Sequence, residues 1–145
     1  MKRTLIIFLI SFVSVTVQAQ TDNPLKEGMP NTVTLSSGEV VYDINGEWEV
    51  LVEHYGPWAN FGKQTNFSEI KQEGASFVGI TLLDTQSSSK GDEKLRGELY
   101  KNGFKKVQTI AGGGPVELKG KILNNGNKMI FDDGEAIRLT CTRKQ

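Results

Sequence analysis

The sequence predicts an all-β fold: an eight-stranded antiparallel up-and-down barrel, with a two-sheet β-sandwich as the alternative. Three observations lead there. Short segments alternate apolar and polar residues at period two. Tight-turn dipeptides separate several of them, at Asn102-Gly103, Asn125-Gly126 and Asp133-Gly134. No useful length of chain carries a helical period.

The chain opens on Met1-Lys2-Arg3, runs almost wholly apolar over 4–17, and then presents Val17-Gln18-Ala19. A basic start, a short apolar run and small residues at a cleavage position read as a secretory signal peptide over 1–19. The run is too short for a spanning helix, and no cysteine follows it to carry a lipid anchor. The expected address is periplasmic or secreted, with no membrane insertion of the mature chain. Without Lys2 and Arg3 the acidic residues outnumber the basic ones by two, so nothing biases the surface toward nucleic acid. Cys141 is the single cysteine. No intrachain disulfide can form, and the fold must rest on packing.

Residues 20–37 are polar, with Pro24, Gly28 and Pro30, and read as a flexible lead-in, within which Val33-Thr34-Leu35 offers a short pairing segment. The single barrel domain is expected over 38–145. The first barrel strand is expected over 47–54, where Trp48, Val50, Val52 and His54 share one face and Glu47, Glu49 and Glu53 the other. A loop rich in aromatics follows, with Tyr55, Trp58 and Phe61. The second strand is expected over 67–72 and the third over 76–83. Residues 84–92 are serine-rich and read as a flexible connection.

Leu95-Arg96-Gly97-Glu98-Leu99 then recurs as Leu118-Lys119-Gly120-Lys121-Ile122, and an Asn-Gly follows each copy. Strands four and five are expected to pair around Asn102-Gly103, and six and seven around Asn125-Gly126, because both turn residues must take positive φ. The eighth strand is expected over 136–143. Gly79, Gly97 and Gly120 fall within strands. Either they let a small sheet coil sharply or they leave interior room for a ligand.

Gly46-Glu47-Trp48 at the head of the first strand resembles the Gly-x-Trp signature of lipocalins. Arg143, on the parity of Ile137, Leu139 and Cys141, resembles that family's terminal basic residue. The resemblance implies a small lipocalin-like, or calycin-like, barrel whose floor is closed by Trp48 and Arg143. It also implies a ligand-holding interior.

In such a barrel the far end of the first strand is the mouth. The candidate ligand-binding residues are His54, Tyr55, Trp58 and Phe61 there, with Phe77 inside. The aromatic loop is read as a lid, a permanent plug or an exposed docking patch. No metal is expected, since a single histidine and a single cysteine offer no zinc spacing. No cofactor or catalytic residue is expected either: Gly112-Gly113-Gly114-Pro115 precedes no helix, and no nucleophile elbow exists. The reading is an exported, non-enzymatic protein holding a small hydrophobic or amphipathic ligand. A ligand-free interaction module or inhibitor, with an unidentified protein partner, is the alternative.

Overall fold

The computed structural model describes residues 24–111 and 113–145, so the expected signal peptide lies outside the described residues. Ten strands follow in order: β1 (Thr32–Thr34), β2 (Val40–Tyr42), β3 (Gly46–His54), β4 (Lys63–Glu73), β5 (Ser76–Thr81), β6 (Glu93–Tyr100), β7 (Gly103–Ala111), β8 (Gly114–Leu123), β9 (Lys128–Asp132) and β10 (Ile137–Arg143). Strands β3 to β10 form a closed antiparallel barrel in sequence order, sealed where β10 pairs with β3. Closure leaves none of these strands with an open edge. The barrel is the expected one, and the sandwich is set aside.

The seam joins Arg143 to Trp48, Cys141 to Val50 and Leu139 to Val52 as directly opposed pairs. The alternation that predicts β3 is what the structure buries: Trp48, Val50 and Val52 point inward, while Glu47 and Glu49 face solvent. Two-residue periodicity thus becomes an apolar lining and a charged jacket.

The lower half is packed solid by aromatic rings set against missing side chains. Phe77 on β5 pairs with Gly97 on β6, and Phe131 on β9 pairs with Gly120 on β8. Phe104 on β7 completes the row, with ring centroids 5.5 Å from Phe77 and 4.8 Å from Phe131. A Cβ built on Gly120 would lie 2.6 Å from the Phe131 ring, and one on Gly97 2.9 Å from the Phe77 ring. The repeat seen in the sequence is therefore a packing repeat, in which each mid-strand glycine makes a slot for phenylalanine. The pairing of β5 with β6 also shifts register beside Gly79, and that of β6 with β7 beside Gly97. Both glycines sit where the sheet bends.

Several expectations need correction. The lead-in expected over 20–37 is not wholly loose: β1 lies within it, close to the pairing segment expected at Val33-Thr34-Leu35, and β1 pairs with β2 as a two-stranded hairpin separate from the barrel sheet. The β6–β7 turn is Lys101-Asn102, one residue earlier than the Asn-Gly signal; Gly103 is already in β7 and pairs with Tyr100. Lys101 carries the positive φ, and its amide donates to Glu39 of the lower hairpin at 2.7 Å. The second Asn-Gly does form a left-handed turn, with positive φ at Asn124, Asn125 and Gly126. The serine-rich connection is internally bonded: the Thr85 and Ser88 hydroxyls lie 2.7 Å apart, and the Lys90 amide donates to Asp84 at 2.8 Å. Strand β4 begins at Lys63, four residues before the expected start.

Candidate functional site

The floor is built from the two residues carrying the lipocalin resemblance. The Trp48 side chain is fully buried, and its indole N–H donates to the Ile44 carbonyl at 3.0 Å. The Arg143 guanidinium lies 4.6 Å from the Trp48 ring centroid. Its Nη2 donates to the Asp43 carbonyl at 2.6 Å and the Gly126 carbonyl at 3.1 Å, and its Nη1 to the Asn45 carbonyl at 2.7 Å. One cation thereby satisfies three loop carbonyls while covering an aromatic face. Burial lowers the Arg143 pKa somewhat and the nearby Asp43 carboxylate opposes that shift. A guanidinium stays charged regardless.

Above the phenylalanine row the barrel is hollow. A cavity of about 650 Å³ reaches the end of the barrel where β3 finishes. That volume falls in the range of small-molecule sites. One side is apolar, with Val50, Val52, Leu95, Ile137 and Leu139. The other carries Gln64, Asn66 and Ser68 along β4, in step with buried Ile70, and Thr81 on β5. The side chains of Gln64, Asn66 and Ser68 make no hydrogen bond to another described residue. Polar groups so placed must be met by water or by a guest.

The structure brings three of the five expected ligand residues to this mouth: His54, Trp58 and Phe61. The chain after β3 coils into a short 3-10 turn, Gly56–Phe61. Gly56 has a φ of +51°, and a Cβ there would lie 2.5 Å from the Glu135 carbonyl, so the turn approaches the β9–β10 loop too closely for any side chain. Trp58 packs on the core at the rim, and Phe61 is 72% exposed. The His54 ring sits 5.6 Å from Phe61 and 6.5 Å from Trp58. Its Nδ1 lies 2.9 Å from the Gly62 carbonyl. A carbonyl only accepts, so Nδ1 is the donor in this bond.

The other two are elsewhere. Tyr55 lies off the cavity, its hydroxyl donating to Asp132 at 2.5 Å. That bond, with burial and the charges of Asp132 and Asp133, pushes its pKa up to about 12. Tyr55 therefore anchors the aromatic turn to the β9–β10 loop. Phe77 is in the packed row against Gly97, below the cavity. Cys141 lines the cavity wall as a buried thiol, and burial pushes its pKa up to about 12.

Gln64, Asn66, Ser68 and Lys94 are absent from the expected set. The sequence carries no clear signal for the first three, because Gln64, Asn66 and Ser68 alternate with Lys63, Thr65, Phe67 and Glu69, of which Thr65 is as polar and uncharged as they are. Among the described residues no cluster of three histidine, cysteine or acidic side chains is placed to hold a metal, and no helix is long and apolar enough to cross a membrane. No protein-family profile, curated protein or solved structure matches this chain.

Proposed function

We propose that this is an exported binding protein that holds one small amphipathic molecule in the upper half of its barrel. The observation that carries the reading is the two-sided cavity. Its apolar wall offers burial to a hydrocarbon surface, while Gln64, Asn66 and Ser68 offer donors and acceptors unused by the other described residues. A barrel interior meant only for stability would be filled by side chains, as the lower half is. His54, Trp58 and Phe61 would close over the guest. Export rests on the basic start and apolar run of 1–19.

Native against denaturing mass spectrometry, on protein recovered from its own compartment, tests this reading. Excess mass that disappears on denaturation supports it. The second measurement is Trp58→Ala, which should weaken binding of the released molecule by roughly tenfold or more while the domain stays folded. Unchanged affinity with a large loss of stability would instead make the aromatic turn a plug.

A further inference from the structure

Lys94 is the one Lys, Arg, Asp or Glu among the described residues that line the cavity, and it stands at the mouth. By strict alternation Lys94 would face solvent, because its neighbour Leu95 faces in. A β-bulge breaks that alternation here. Gly79 on β5 pairs with Leu95 but the next residue, Ile80, pairs with Glu93, so Lys94 is the extra residue of β6. Bulges re-aim a side chain out of the regular parity. The bulge is fastened from the neighbouring strand: the Thr109 hydroxyl, from inside the barrel, donates to the Lys94 carbonyl at 2.7 Å.

The ammonium has little to occupy it. Lys94 Nζ donates to the Ser87 carbonyl at 3.2 Å, and it makes no ion pair among the described residues. Adjacent Glu93 is engaged by Arg96 at 2.7 Å. Ser87 itself belongs to the rim of the cavity. A cation bonded to the rim of a cavity whose described lining residues include no acid is a charge that can select the sign of what enters.

We propose, on the reading that the cavity holds a ligand, that the ligand class is a monoanionic amphiphile. Its anionic end pairs with Lys94 at the rim and its apolar body lies against Val50, Val52, Leu95 and Leu139. Thr109 is a positioning residue, acting through the bulge that it fastens.

The test is displacement of the neutral dye Nile red from the full mature chain by three probes of equal chain length: decanoate, decanol and decyltrimethylammonium. Wild-type protein should bind decanoate about tenfold tighter than decanol, and the ammonium probe most weakly. Lys94→Met should bring the three probes within about threefold of one another, a change confined to the charged pair, and leave decanol unchanged. Thr109→Val should shrink the decanoate preference without abolishing decanol binding. Equal affinities in wild type, a preference for the cation, or a decanoate preference that survives Lys94→Met would overturn the assignment of an anion. Failure of Nile red and all three probes to bind a folded protein would overturn the ligand-binding reading itself, which separates the two failures.

Discussion

Arg143 and Trp48 are directly opposed across the β10–β3 seam, and the guanidinium also reaches three carbonyls of the loops beneath it. The barrel closes in sequence, and its floor closes in chemistry, at the same pair. Arg143→Ala should remove a cation–π contact and leave the carbonyls of Asp43, Asn45 and Gly126 without their donor. A loss of about 2–4 kcal/mol in urea unfolding is expected. Arg143→Lys should recover only a small part, since an ammonium cannot span three divergent acceptors as a planar fork does. Full recovery by lysine would mean that charge alone matters there.

The glycine slots predict a graded series. Gly120→Ala places a Cβ 2.6 Å from the Phe131 ring and 2.8 Å from Phe104, so two packed rings must shift together. A cost of about 2–3 kcal/mol is expected from such overpacking. Gly97→Ala meets Phe77 and Val107 at 2.9 and 3.0 Å and should cost somewhat less. Gly79→Ala approaches only the Leu95 Cβ closely, at 3.0 Å, and otherwise borders the cavity, so no packed ring has to move. It should be the mildest of the three. Chemical denaturation of the three variants gives the order directly; a Gly79 variant as damaged as Gly120→Ala would contradict it.

How much of this was legible beforehand follows from what period-two patterning can carry. It places Trp48, Val50, Val52 and Leu139 inside, and Arg143 on the parity that brings it over Trp48. It says nothing of height along the barrel axis, so Phe77 reads as a ligand residue although its ring fills the slot at Gly97. It fails for the first part of β4, where the inward side chains at 64 and 66 are polar and so resemble a loop. It fails outright at Lys94, because a bulge is by definition a break in parity. Tyr55 shows another limit: aromatic composition draws the turn toward the mouth, but the partners Asp132 and Asp133 come from residues nearly eighty positions away.

The β9–β10 loop should make stability depend on acid. Asp133 Oδ1 accepts from the backbone amides of Glu135, Ala136 and Ile137 at 2.9, 2.8 and 3.0 Å. Burial works to raise its pKa, but these hydrogen bonds and the Tyr55 hydroxyl outweigh it and hold the carboxyl below its ordinary value. A depressed folded pKa contributes stability that is present above the unfolded value, about 3.9, and is lost as pH falls through the folded one. Asp133→Ala should therefore cost about 1–3 kcal/mol at neutral pH. Its gap to wild type should close below the ordinary carboxylate range. A gap that stayed constant into strong acid would show that the loop needs the shape of the side chain and not its charge.

The β4 wall offers a last prediction, in which stability and binding move apart. Asn66 opposes Val50 across the β3–β4 ladder and lines the cavity with no hydrogen bond to another described residue. An amide so placed contributes nothing to the fold that a hydrocarbon of similar size would not supply. Asn66→Leu should thus leave stability unchanged or raise it by up to about 1 kcal/mol. The same change makes the cavity wall more apolar, so binding of neutral Nile red should strengthen. A guest of the proposed amphipathic kind that uses this wall would lose a polar partner and should bind more weakly. Thermal unfolding with and without dye measures both. A fall in stability of more than about 1 kcal/mol would mean that Asn66 is held by ordered water belonging to the fold itself, and the β4 wall would then be structural.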